Sequence, residues 1–243
     1  MTYCLGILLP GGLVMAADSR SNAGIDDFTS VCKMEVAAVP GERVIAILSA
    51  GNLATTQSVI TLLREDTGHG GVHDLHGPRT MYEVARLLGD TLREIVARDG
   101  EHVRPYGDPT GSFIVGGQIS GEPPRLFMIY PAGNFVEATP RSIYLQLGET
   151  KYGKPILDRA LRPDSPLDQA AKLALLSFDA AMRSDLSVAM PIDILRYETD
   201  SFSSANHAAL KEDDPYWSAL RKAYGDGLAA LVASLPLPPD WSA

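Results

Sequence analysis

The sequence predicts an α+β fold, antiparallel sheets with helices packed on their outer faces. Three observations carry this: apolar runs of strand length come in pairs across tight-turn residues, segments with helical spacing also come in pairs, and no Ser/Gly-rich or charged linker divides the 243 residues. One domain over 1–243 is expected, with a helical extension at about 214–243 and no internal repeat or low-complexity tract.

Residues 2–9 are apolar and stop at Pro10-Gly11-Gly12, a turn signal, and 13–17 supply the return strand of a hairpin. A second hairpin is expected from 34–39 and 43–48 across Pro40-Gly41-Glu42, after which 53–64 switches to helical spacing. A polar, glycine-rich loop covers 66–78. Thr80 and Glu83 then form a capping-box pattern, and Met81, Val84, Ala85, Leu88, Leu92, Ile95 and Val96 fall on one helical face. Strands return at 112–119, 125–130 and 135–139, separated by turns at 120–124 and 131–134. A short helix is expected near 153–161. A longer one starts at Ser165-Pro166, with Pro at the first helical position and Asp168 placed to close the cap. Residues 191–197 read as a strand, 214–232 as a terminal helix, and a Pro-rich tail runs to Trp241.

Composition narrows the function. Twenty-one basic and 30 acidic residues give a net charge of −9, which argues against a nucleic-acid or anionic-membrane surface. There is no basic leader and no run of about 18 apolar residues, so a cytosolic protein without a membrane span is expected. Cys4 and Cys32 sit in apolar stretches and read as small core hydrophobes. The phosphate-loop pattern G-x-x-x-x-G-K-[ST] is missing, so the chain carries no ATPase of its own by this signature. His69, His73 and His76 share one loop with Asp74, but no helix or hairpin scaffold holds them. They read as a solvated inter-helix loop, with neither metal nor cofactor expected.

The chemistry is concentrated near the start. A small residue at position 2 permits removal of Met1, which would leave Thr2 with a free α-amine beside its hydroxyl. That amine titrates near about 7.7–8.0, where a general base is most useful, and a threonine hydroxyl served by its own amine is an activated nucleophile. Many chains begin Met-Thr without consequence, so Thr2 alone carries little. Asp18 ends the second apolar run and Lys33 lies among apolar neighbours; a buried lysine needs a partner, and Asp18 is the candidate, with Arg20 able to orient the carboxylate. Read alone, the two are a structural ion pair or a lysine reaching to the surface. Ser49-Ala50-Gly51-Asn52 lies where a strand hands over to a helix, either an ordinary turn or a set of N–H groups for a developing oxyanion.

Taken in order, the stretches TYCLGILLPGGLVMAADSR, KMEVAAV, SAGNLATTQSVI, RPYG, SFIVGG, PRLFMIYPAGNF, LGETKYGKPILDRAL and MRSDLSVAMPIDIL resemble the β subunits of proteasomes, within the N-terminal-nucleophile hydrolases. The ending and the missing propeptide look most like the bacterial Anbu (ancestral β-subunit-like) branch. The resemblance implies a four-layer αββα sandwich. It implies that Thr2 is the nucleophile, Asp18 and Lys33 its charged partners, and Gly51 the oxyanion N–H, with Asp185 and Ser187 supporting the threonine amine. The chain departs from the family at Glu149, where a serine is usual, and at Val188 and Ala189, where the usual pattern runs serine then glycine. The implied function is a threonine peptidase acting on peptides or unfolded proteins. The implied partners are other copies in a ring or helix and a separate ATP-driven unfoldase. Two alternatives stand beside it: a small-amide hydrolase of the same fold, and a catalytically silent self-assembling shell or adaptor, which the apolar residues of the C-terminal segment motivate.

Overall fold

The computed structural model describes residues 2–22 and 28–239. In chain order the elements are β1 (Tyr3–Leu9), β2 (Gly12–Asp18), β3 (Arg20–Asn22), β4 (Phe28–Ser30), β5 (Met34–Val39), β6 (Arg43–Gly51), α1 (Leu53–Asp66), α2 (Met81–Val103), β7 (Gly111–Ile119), β8 (Arg125–Ile129) and β9 (Phe135–Glu137). They continue with β10 (Tyr144–Gly148), α3 (Thr150–Ala160), α4 (Leu167–Ser184), β11 (Ile192–Glu198), β12 (His207–Leu210) and α5 (Pro215–Ser234). One antiparallel sheet runs β10-β1-β2-β11-β12 and a second runs β5-β6-β7-β8-β9; β3 and β4 form a small separate ladder.

The period of two along the strands sets the layering. In β1, Tyr3, Leu5, Ile7 and Leu9 face α3, α4 and the start of α5, meeting Leu157, Ala174, Phe178 and Trp217. Cys4 points the other way, and with Leu13, Met15 and Ala17 of β2 it meets Val44, Ala46, Leu48, Ile114 and Leu126 of the second sheet. The outer residues of that sheet, Ile45, Ile47, Phe113 and Val115, pack under α1 and α2 on Val59, Leu63, Leu88 and Leu92. Three apolar layers therefore separate helices, sheet, sheet and helices, which is the four-layer αββα sandwich of the N-terminal-nucleophile hydrolases. Among the described residues no helix is long and apolar enough to cross a membrane.

Local signals hold where a side chain makes the bond. Asn52 caps α1 by accepting from the Thr55 N–H, and Thr80 caps α2 by accepting from Glu83. At α4 the expectation fails: Pro166 is the cap residue and not the first helical one, and no side chain closes the cap. The Ser165 hydroxyl accepts from the Arg162 N–H instead, and Asp168 turns outward to Arg196, 3.5 Å away. The histidine loop lies at the surface, with 68–72 exposed, and is tied together by its own side chains. Asp74 accepts from the N–H groups of Gly68, Gly70 and His76, and the His73 ring lies between Asp66 (2.9 Å) and Glu94 (3.0 Å). Among the described residues no three His, Cys, Asp or Glu side chains gather as a metal-binding group. Cys4 is buried, but Cys32 lies outside any strand and is exposed, so the reading of both as core residues is corrected for Cys32. Trp241 and Met1 lie outside the described residues.

Candidate active site

The site forms where β1 and β2 begin and end side by side. Antiparallel pairing places Cys4 opposite Ala17, and the Tyr3 N–H reaches one step further to Asp18 Oδ1 at 3.0 Å. Lys33 Nζ lies 2.7 Å from that same oxygen. Its second partner is the Arg20 carbonyl at 2.5 Å. The other carboxylate oxygen of Asp18 accepts the Arg20 N–H at 3.1 Å. Both ions are buried, Asp18 completely and Lys33 to within 7%. Burial pushes the Asp18 carboxyl up from its usual range, while Lys33 and the two backbone N–H groups pull against it. Thr2 itself is 8% exposed, and its carbonyl accepts the Glu149 N–H at 2.8 Å. Gly148 makes that contact possible: its φ is +79°, and a Cβ there would stand 1.7 Å from the Thr2 carbonyl oxygen. One strand end is thus held through Asp18 on one side and β10 on the other.

Gly51 ends β6. The Ser49 N–H donates to the Lys33 carbonyl (3.0 Å), whereas the Asn52 N–H donates across to Thr110 on the β7 side (2.9 Å). Donors alternate along an antiparallel strand, so the Gly51 N–H faces the Lys33 side. With φ at +110° and Thr110 and Gly111 packed behind it, this position suits glycine alone. Asp185 and Ser187 pair with each other, the carboxylate accepting the Ser187 hydroxyl (2.5 Å) and N–H (2.8 Å). Burial would raise the Asp185 carboxyl, but those two bonds together with nearby positive charge, Lys151 included, hold it below the usual range. Arg20 brings this loop to the pair, its guanidinium donating to the Leu186 carbonyl at 2.6 Å.

Two carboxylates stand out beside the expected set. Asp193 of β11 is buried between the sheets, accepts from the Ser19 hydroxyl (3.2 Å) and lies 3.6 Å from Cys32 Sγ. It therefore anchors the chain neighbours of both Asp18 and Lys33. Sequence reading missed it inside an apolar strand; the signal was parity, since Ile192 and Ile194 face the helices and an acid between them must face the other sheet. The second, Glu149, was noted only as a departure. It is 93% buried beside Thr2, with Oε2 3.1 Å from Lys151 Nζ. Between the 31–32 segment, the end of β6 and α1 a cavity of about 210 Å³ opens, lined among others by Val31, Cys32, Ser49, Leu53, Gln57 and Arg64.

A two-sheet sandwich flanked by helices, with a buried lysine–aspartate pair at the head of its first strand, defines the N-terminal-nucleophile hydrolase class. Residues 2–195 match the family described as proteasome subunit. The chain is 29% identical over 182 residues to proteasome subunit beta 2 of Pyrobaculum aerophilum, covering 74% of this chain and 81% of that one. Likeness to two solved structures is closer. Anbu (ancestral beta-subunit) from Yersinia bercovieri is 46% identical with a TM-score of 0.93, covering 98% of this chain and 99% of that one. The Anbu complex of Pseudomonas aeruginosa, described as a helical assembly, is 47% identical with a TM-score of 0.94, covering 99% of this chain and 100% of that one. The chain belongs to the proteasome family, on the side of its Anbu branch.

Proposed function

We propose that this hydrolase-type protein is a threonine peptidase whose nucleophile is the Thr2 hydroxyl and whose general base is the Thr2 α-amine, uncovered by loss of Met1. The observation that carries this is the shared oxygen of Asp18: it receives both the Lys33 ammonium and the N–H of the peptide that follows Thr2. An ammonium fixed there stabilises negative charge on the hydroxyl oxygen and, by like-charge repulsion, keeps the neighbouring amine in its basic form.

In this reading Thr2 Oγ attacks the substrate carbonyl carbon as its proton passes to the α-amine. The oxyanion of the tetrahedral intermediate faces the Gly51 N–H. The C–N bond breaks as the ammonium returns the proton to the leaving amine, and an ester on Thr2 remains. Water, deprotonated by the same amine, then attacks the ester carbon; the C–Oγ bond breaks, Thr2 Oγ takes the proton back, and the acid leaves. Arg20, Asp185 and Ser187 support the amine side, and the cavity lined by Cys32 and Ser49 receives a substrate side chain. Peptides or unfolded proteins are the substrate class, reached from the cytosol with the help of a separate unfoldase. The chain acts as one domain and self-associates, as the helical assembly of its Pseudomonas relative suggests.

Intact mass of cell-made protein, followed by treatment with a peptide epoxyketone, tests the proposal. Loss of Met1 and a stoichiometric adduct on Thr2, abolished in Thr2→Ala, are expected. Processed protein that forms no adduct, with hydrolysis unchanged in Thr2→Ala, overturns it. Retained Met1 favours the silent-shell alternative.

A further inference from the structure

One edge of the first sheet lies open beside a large groove. β10 is an outermost strand, paired on one side only, with β1. The Thr2 carbonyl accepts the Glu149 N–H (2.8 Å) and the Ile143 carbonyl accepts the Leu8 N–H (2.7 Å), so the odd-numbered residues of β10 turn their backbone groups to β1. The N–H and C=O groups of Tyr144 and Gln146 therefore point outward, and among the described residues no strand covers them. An open row of this kind is a template for one more strand.

The two faces of that edge differ in chemistry. Tyr144 and Gln146 lie on the helix side, opposite Ile7 and Leu5. There a groove of about 590 Å³ runs between β10 and α3, with Arg141, Lys154 and Arg162 on its walls and Asp158 as its one acid. Asp158 is already engaged: it accepts from Lys154 (2.9 Å) and from the Tyr144 hydroxyl. Arg162 donates to the carbonyls of Leu161 and Arg159, both at 2.9 Å. Neither it nor the exposed Arg141 meets a carboxylate among the described residues. A chain with a net charge of −9 thus keeps two uncompensated guanidinium groups beside an unpaired strand. On the opposite face Leu145 and Leu147 turn toward the second sheet. At the Ile143 end an apolar pocket of about 250 Å³ adjoins the groove, sharing Pro140, Ile143 and Pro163 with it. Period two lets one extended segment satisfy both faces, with acids at every second position over the arginines and apolar residues between them. Carboxylates are the matching charge, since a guanidinium holds them through paired N–H donors.

We propose that β10 receives an extended acidic segment of another polypeptide as an added antiparallel strand, its carboxylates on Arg141 and Arg162 and an apolar side chain in the pocket beside Ile143. Binding here needs neither Thr2 nor its amine, so it stands apart from the proposed hydrolysis.

Fluorescence anisotropy of the labelled peptide Phe-Glu-Val-Glu-Val-Glu-Val-Glu-Phe tests this on the full chain, with Thr2→Ala in parallel to exclude cleavage and circular dichroism to check folding. The peptide should bind saturably at micromolar concentration, and a version with Lys in place of Glu should not. Arg141→Glu/Arg162→Glu should weaken binding by about tenfold or more, whereas Arg141→Lys/Arg162→Lys should stay within about threefold. Strand pairing is read by changing the peptide alone, which leaves the protein's fold untouched. In an added antiparallel strand the amides of the acids point at β10 and those of the valines point away. Methylating the Glu amides should abolish binding, and methylating the Val amides should keep it. No saturable binding, or binding that ignores the charge reversal, overturns the proposal. Equal affinity of the two methylated peptides overturns it as well, leaving a contact of charge alone. Binding seen only in diluted, dissociated protein places this edge between copies of the chain and likewise overturns it.

Discussion

Asp18 and Lys33 are where stability and chemistry pull apart. Each ion is buried and each justifies the other, so removing one leaves an uncompensated charge in the interior. Asp18→Asn and Lys33→Met should each lower the unfolding free energy by about 3–5 kcal/mol in urea titrations. The double variant should recover much of that loss, because two neutral side chains of similar size need no countercharge. Reactivity of Thr2 toward an epoxyketone should not recover: it should fall at least a hundredfold in all three. A double variant that regains both stability and reactivity would reduce the pair to a structural bridge. The pair announced itself in the sequence because a lysine among apolar residues is rare. Asp193 did not, because one acid in a strand reads as an outward-facing residue until the second sheet covers it.

At the scale of elements, hydrogen-bonded connections do as much as strands. The loop between α1 and α2 is closed by the His73 ring, which bridges Asp66 at the end of α1 and Glu94 of α2. Burial acts to lower the His73 pKa, but the bonds to Glu94 and Asp66 outweigh it, and the value lies above the ordinary one. A raised folded pKa contributes stability that is complete below the unfolded value, near about 6.5, and is lost as pH rises through the folded value. Amide exchange of residues 68–76 should therefore quicken as pH rises through that window, after correction for the intrinsic rate. His73→Asn should remove the step while leaving the rest of the chain unchanged; a step that persists would place the titration elsewhere.

The same scale shows what could be read in advance. The hairpins of β1–β2 and β5–β6, the helix α2 and the run of β7 to β9 were legible because periodicity, turn residues and caps agree there. The strand β10 was not: YLQLG is short and its pairing comes wholly from β1, at the other end of the sequence's first 150 residues, Tyr3 opposite Gly148 and Ile7 opposite Tyr144. The four-residue β12 takes its form from β11, and the β3–β4 ladder has only three residues on each side, too few for a period to show. The start of α3 was placed a turn late because the expected helix began at Gly153, whereas Thr150 opens it, and Pro155 sits inside it. Of the candidate site, the pairing of Asp18 with Lys33 was legible. That Arg20 joins the 185–187 loop to the ion pair was not, since a backbone carbonyl leaves no mark in sequence.

Across the whole molecule, three apolar layers hold four structural ones, and α5 is fastened to them near its start, by Trp217, Leu220 and the Arg221–Asp179 ion pair. Trp217 is fully buried, with its indole N–H lacking a hydrogen-bond partner and Arg221 over the ring at 5.4 Å. Trp217→Ala should cost about 3–5 kcal/mol by opening a cavity. Trp217→Phe should stay within about 1.5 kcal/mol, because it keeps most of the packing and removes an unsatisfied donor. Thermal unfolding of the two variants at one protein concentration checks this; equal losses would mean that the indole N–H finds a partner in the assembled state.

The tie between Thr2 and β10 has a practical side. With its carbonyl gripped by one neighbour and the next amide gripped by another, Thr2 is held in register, and a purification handle fused ahead of it would tie up the amine that the proposed chemistry needs; the far end carries the exposed half of α5. A label that reports on this protein without altering it belongs instead in the turn after α2, where Tyr106 stands almost wholly in solvent.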